Sequence, residues 1–468
     1  MTSHICCYMK NVKTTYKARR HKAAGKQKAE KIFEQAATTI FGYLSVLPKE
    51  MCFHIFARVP LVDLGNLSLT SRSMRDLVLE YIRSKQGLSK ILPEVSKTDE
   101  KESYIAEVII LDNALKYSEH FGDLGVLLKK VSCLFSTKER LKEVGVALDK
   151  LKDTHSLLCT QFSSDFAYSC YGAFLRSFIA GWEDDEKLRA YHAIKGASLL
   201  DERMEKVLNS APGTYPWFEK YIRVFCREIF LNKAFDETDR GFWLSTILQP
   251  WPIVFQARLL YLLYGPFYRD TGLVNWSVMS TCPTFYGVED VEIRELADAL
   301  VLLHTECKEK WNEDGIISII EELSGISNEW CLENIAKLLV LCGEHVTYSV
   351  LGSKAVNGRI HELAYLGYSI AQVAGRYDMG HGKSRKLDMF VSLVKRMVNA
   401  MPGYKNKVSF AMSLFNVWEE NIISLTEEIQ DDTDHDGTSE EPEQALIESV
   451  HNLCKVAGLL LKESITNK

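Results

Sequence analysis

The sequence predicts an all-α fold. From about residue 100 to 426 the apolar residues recur at the helical period. Strand-like alternation is scarce over the same stretch. The long apolar runs also stop at proline or glycine, as helices do.

In chain order, residues 1–44 form a basic arm. Its run 10–31, "KNVKTTYKARRHKAAGKQKAEK", is crowded with Lys and Arg and poor in large apolar residues. Such a segment buries too little to offset its ordering entropy, so it is expected to be disordered. An import signal or a nucleic-acid-binding arm is the functional reading of this run; a solvated tail is the plainer one.

Residues 45–90 follow, containing "LPKEMCFHIFARVPLVDLGNLSLTSRSM". Pro48 suits the first turn of a helix and Glu50 its positive end. Met51, Ile55, Phe56 and Val59 line that helix, which Pro60 ends. A second short helix or turn follows. Thr70 or Ser71 then caps a third, with Met74, Leu77 and Tyr81 on one stripe. Three helices this short cannot hide Leu47, Pro48, Phe56, Val59 and Leu64 among themselves. The surplus must pack on a partner or on the rest of the chain.

Residues 91–426 read as a large irregular helical body. "SCYGAFLRSFIAGW" places Tyr171, Phe174, Phe178 and Trp182 on one face, the pattern of a buried helix. "PWPIVFQARLLYLLYGP" is apolar nearly all round and reads as a central helix stopped at Gly265-Pro266. "IISIIEELSGISNEWCLENIAKLLVLC" reads as two helices broken near Gly325, with Ser327 or Asn328 as cap. "MSLFNVWEENIISL" puts Leu414, Trp418, Ile422 and Leu425 on a core stripe. Residues 427–444 are acidic and read as a linker. Residues 445–468 form a C-terminal amphipathic helix, with Leu446, Val450, Leu453, Ala457, Leu460 and Leu461 on the face expected to dock back.

Composition narrows the function. With 468 residues, 46% apolar and 25% charged, the chain is an ordinary globular protein with room for one or two large domains. The net charge of −6 does not suit a polyanion binder overall. Twelve cysteines occur without a C-x-x-C pair, which removes the zinc-ribbon and thioredoxin readings. They read as reduced thiols of an intracellular protein, in cytoplasm, nucleus or both. No secretory h-region and no long uncharged apolar window is present, so no membrane association is expected.

Catalytic motifs fail on inspection. "MGHGKSRK" lacks the leading glycine and the strand of a phosphate loop. "HELAY" places Tyr365 where a second zinc-ligating histidine would stand. "LGNLSL" fits a leucine-rich repeat once, without recurrence. No repeat is visible, no cofactor or metal ligand set is identified, and no enzyme activity is expected.

The 45–90 segment resembles an F-box. The resemblance rests on Leu47-Pro48-x-Glu50, Ile55, Val59-Pro60, Asp63-Leu64, Leu67-Ser68 and Thr70-Ser71-Arg72. It departs at Met74, where many F-boxes carry Trp, and at Val59, where Leu is usual; both replacements stay apolar. The resemblance implies a three-helix module that binds Skp1, which in turn holds a cullin and a RING protein. Carried over residue by residue, the Skp1 contacts are Leu47, Pro48, Ile55, Val59 and Leu64. "STKERLKEV", "SCYGAFLRSFIAGW", "QPWPIVFQARLLYLLYGP" and "SKAVNGR" extend the resemblance through the body, to vertebrate F-box-only proteins. The resemblance implies a non-catalytic substrate-recognition adaptor of an SCF-type ubiquitin ligase, with an unknown protein target on the helical body. The alternative is a nuclear scaffold, or a nucleic-acid-associated protein using the basic arm, whose F-box assembles no active ligase.

Overall fold

The computed structural model describes residues 47–91, 103–142, 164–284, 286–380, 386–433 and 440–466. The basic arm 1–44 lies outside the described residues. So do 381–385 of "MGHGKSRK" and 434–439 of the acidic segment. The described residues are helical wherever they are regular, apart from one isolated antiparallel bridge between Phe267 and Val274. The all-α class is therefore observed.

The chain divides into two compact units, Met1–Ala193 and Ile194–Lys468. The division falls inside the stretch read as a single body, 91–426. The F-box helices share their unit with the long helices that follow them.

In the first unit, α1 is Lys49–Phe56, α2 Leu61–Ser68, α3 Arg72–Arg83 and α4 Lys85–Ile91. Helices α5 (Ser103–Val131) and α6 (Ser164–Ile179) follow. Pro48 and Pro60 stand immediately before α1 and α2, where a missing N–H removes nothing from the ladder. Ser71 caps α3, its hydroxyl accepting from the Met74 N–H at 3.1 Å. Helices α2 and α3 both pack on α5, and α5 packs on α6. Gly125 permits that last contact, because a Cβ there would collide with the Phe174 carbonyl. The rings of Tyr171, Phe174 and Phe178 on α6, and of Trp182 just after it, follow one another at 6.0, 5.9 and 5.4 Å, all buried. The aromatic face is core, as its spacing indicates.

After α7 (Asp184–Ser198), the second unit continues with α8 (Leu200–Leu208), α9 (Pro216–Cys226), α10 (Glu237–Leu248), α11 (Ile253–Tyr264) and α12 (Asp290–Glu306). It ends with α13 (Glu313–Leu323), α14 (Leu332–Cys342), α15 (Glu344–Val356), α16 (Ile360–Gly380), α17 (Lys386–Ala400), α18 (Gly403–Thr433) and α19 (Glu440–Thr466). From α9 to α19 every helix packs on the helix two places along. Alternate helices thus form two layers that grow by one helix at a time, the arrangement of a repeat stack. The sequence conceals this order because the connections are unequal. Gly343 alone separates α14 from α15, whereas residues 265–289 lie between α11 and α12.

Three local expectations change. The break between α13 and α14 is longer than a single turn, and α14 begins after Cys331, not at Ser327 or Asn328. Helix α18 runs to Thr433 and α19 starts at Glu440, so helix enters the expected linker 427–444 from both sides. On α19 the buried residues include Ala445, Glu448, Ser449, Asn452 and Val456, while Ile447 and Val450 are exposed. The helix docks on α16, α17 and α18 as expected, but through a largely polar face. That face meets waiting partners. Gln372 donates to Ser449 Oγ at 2.9 Å, Asn452 donates to Gln372 at 3.0 Å, and Trp418 Nε1 donates to the Ser449 carbonyl at 3.3 Å.

Gly125→Ala is expected to lower stability by about 1–3 kcal/mol, the usual cost of overpacking. Gly196→Ala, whose added methyl meets nothing within 4 Å, should be neutral or stabilising by up to about 1 kcal/mol. Calorimetric melting of the two variants measures the difference.

Candidate functional site

Helix α1 turns two apolar faces in different directions. Cys52 and Phe56, one turn apart, are buried. The Phe56 and Phe53 rings lie 5.6 and 5.4 Å from the ring of Tyr81 on α3. Pro48, Met51 and Ile55 fall at i, i+3 and i+7 on the other side. There Pro48 is exposed, Met51 is 37% exposed and Ile55 is half-buried. Leu47 before the helix and Val59 after it are also half-buried.

The end of α1 is held from α4. The Lys90 ammonium donates to the carbonyls of Phe56 at 3.0 Å, Ala57 at 3.1 Å and Val59. These carbonyls lie at the helix C-terminus, where the Phe56 oxygen also accepts from the Val59 N–H at 3.2 Å, so one cation bridges three acceptors and fixes the turn into Val59-Pro60. Burial lowers the Lys90 pKa from its ordinary value. Lys49 and Glu80 pair at 2.8 Å in solvent, a contact worth little by itself.

Helix α2 faces inward. Leu61, Leu64, Gly65 and Ser68 are its buried residues, spaced as one face. That face is covered where α2 packs on α3 and α5. Leu64 is 0% exposed. It therefore presents no accessible surface among the described residues, unlike the other four residues expected from the resemblance. Leu47, Pro48, Ile55 and Val59 keep accessible surface, and Met51 joins them. Met51 was legible as an apolar helix residue; only its direction was not. Leu69, just beyond α2, is 54% exposed and adds apolar surface that the sequence did not single out.

The module is thus three short helices closed on one side by the chain and left apolar on the other. A model of the F-box domain matches residues 44–83, spanning these helices. A second model, described as "FBXO47, ARM repeats", matches residues 196–462, which is nearly the whole second unit. The chain is an F-box protein carrying a helical armadillo-repeat domain, which corrects the reading of a body without repeats. It is 32% identical over 377 residues to F-box only protein 47 of Mus musculus, covering 81% of this chain and 80% of the mouse protein. To F-box only protein 47 of Homo sapiens it is 31% identical over 400 residues, 85% of each. The chain belongs to the F-box only protein 47 family. No solved structure matches it. Among the described residues no helix is long and apolar enough to cross a membrane.

Leu64→Ala is expected to destabilise the first unit by about 2–5 kcal/mol, as emptying a buried leucine site does. Thermal melting of the variant reads that loss. Where the variant remains folded at low temperature, partner capture should be unchanged.

Proposed function

We propose that the protein is a non-catalytic substrate-recognition subunit of an SCF-type ubiquitin ligase. Skp1 docks on the outward face of α1 formed by Pro48, Met51 and Ile55, flanked by Leu47 and Val59. Through Skp1 the complex gains a cullin and a RING protein. The armadillo-type stack presents a protein target. The adaptor then speeds ubiquitin transfer by holding target and conjugating enzyme together, without supplying an acid, base or nucleophile of its own.

The observation that carries this reading is the division of α1. Its inner residues are buried against α3, while its outer apolar residues meet no other part of the described chain closely enough to be buried. A rigid apolar face on a folded module suits a permanent partner surface. Membership of an F-box family supports the choice of Skp1 as that partner. An adaptor working inside the cell fits the same reading.

Co-expression with Skp1 tests it. The pair Met51→Asp and Ile55→Asp should weaken capture by at least about 2 kcal/mol, roughly thirtyfold in Kd, since charge would enter a desolvated anchor site. Undiminished capture by a folded double variant would sink the assignment. Capture of Skp1 without a cullin would favour the scaffold alternative.

A further inference from the structure

Three ligand-type side chains of the second unit converge where the start of α14 meets the segment after the 3-10 turn Val278–Ser280. They are Cys282, Cys331 and Glu333, and their sulfur and oxygen atoms all lie within 4.8 Å of one another. Among the described residues they form the one group with this property. Nothing in the adaptor reading uses them.

We propose that Cys282, Cys331 and Glu333 bind a divalent cation of the zinc class. Two thiolates and a carboxylate suit that borderline-soft ion. The geometry fits as well. Zinc–sulfur and zinc–oxygen bonds of about 2.3 and 2.0 Å at a tetrahedral angle put the two ligand atoms about 3.5 Å apart. The Cys282 thiol donates to Glu333 Oε2 at 3.5 Å and to the Thr284 carbonyl at 3.1 Å, so this ligand pair already stands at that separation with a proton in place of the ion.

The trio is held in place by a separate set of bonds. Asn334, next to Glu333, is fully buried. Its amide donates to the carbonyls of Met279 at 2.9 Å and Thr281 at 3.0 Å, and its oxygen accepts from the Val288 N–H at 2.8 Å. The Cys331 N–H donates to the same Met279 carbonyl at 3.0 Å. The segment carrying Cys282 is therefore tied to the start of α14 without help from the thiols. Their convergence is not required to keep the two segments together. It is the preorganisation a metal site needs.

Cys282 and Glu333 also line a cavity of about 370 Å³. A fourth ligand can enter from there, and Glu428 stands on its wall.

The test uses the full chain under reducing conditions, with Co2+ as the probe and circular dichroism as the check on folding. The chain should bind a single equivalent with a thiolate-to-cobalt charge-transfer band, and Zn2+ should displace it. Cys282→Ser and Cys331→Ser should each abolish the band; Cys282→Ala and Cys331→Ala replace either that fails to fold. Cys454→Ser, at an exposed cysteine of α19, should leave it intact. Glu333→Gln should keep the band and weaken binding about tenfold or more, at least what loss of a supporting contact costs. Zn2+ should raise the melting temperature of the parent chain and not of the cysteine variants. The proposal is overturned if the folded parent chain shows no saturable cobalt binding, or if the band survives removal of both Cys282 and Cys331. A Cys282–Cys331 disulfide formed in air, with no cobalt binding after its reduction, also overturns it and marks a redox pair.

Discussion

Burial of Leu61, Leu64 and Gly65 where α2 packs on α3 and α5 sets the character of the first unit. The F-box segment carries more apolar surface than three short helices can share. Helix α5 takes the inner part of that surplus. What remains is the outer face of α1, with Pro48, Met51 and Ile55. The module is therefore ordered before it meets a partner. Binding energy at the outer face is not spent on folding the helices, which is the main benefit of preorganisation. Lys90 contributes to the same end by closing the carbonyls that α1 would otherwise expose.

The second unit is organised by nearest neighbours. Each helix from α9 to α19 rests on the one two places along, so no single contact spans the stack. Buried polar groups then fix the register between layers. Arg223 donates to the carbonyls of Leu262 at 3.0 Å and Gly265 at 2.8 Å, stitching α9 to the end of α11. Thr347 donates to the Leu339 carbonyl at 2.8 Å, joining α15 to α14 across Gly343. Asn334 ties the long connection before α12 to the start of α14. Such bonds add modest net stability each, but leaving any one unmade in the core is costly. They therefore select one arrangement among many that would bury similar apolar area.

Helix existence was legible wherever one face was plainly apolar. The stripes through Phe174 and Phe178, and through Leu414 and Trp418, are buried as their spacing indicates. The stop at Gly265-Pro266 is where the chain breaks. The short helices of the first segment were legible from turn chemistry, two prolines before helices and a serine cap; the F-box itself was legible only as a resemblance to that family's motif. Three things were not legible. Leu64 and Ile55 are both apolar positions of short helices, and only the packing of α2 on α5 tells the covered from the open. The repeat order was hidden because connections of very different length separate helices that stack alike. Cys282 and Cys331 are far apart in sequence, and their meeting depends on Asn334, a residue with no motif to announce it.

The C-terminal helix shows which force decides when pattern and partners disagree. Its sequence offers an apolar stripe through Leu446, Val450 and Leu453, and that stripe alone would dock it. Burying Val450 or Ile447 fully would gain about 1.5–3 kcal/mol each. The surface it docks on, however, carries Gln372, Arg376 and Trp418, and Tyr286 stands beside it. Glu448, 2% exposed, accepts from Arg376 at 2.5 Å, from Gln444 at 2.7 Å and from Tyr286. Ser449 and Asn452 satisfy Gln372 and Trp418. Turning the helix to bury its apolar stripe would strip these partners from the buried Gln372 and Trp418 and the half-buried Tyr286, while Arg376 would keep its water. Each buried group left unsatisfied costs about 1–3 kcal/mol. The polar orientation wins on those magnitudes. It also requires Gly375 on α16, because a Cβ there would collide with the Asn452 amide. The docking of α19 is thus decided by complementarity with α16 and α18, and its own amphipathic pattern points the other way.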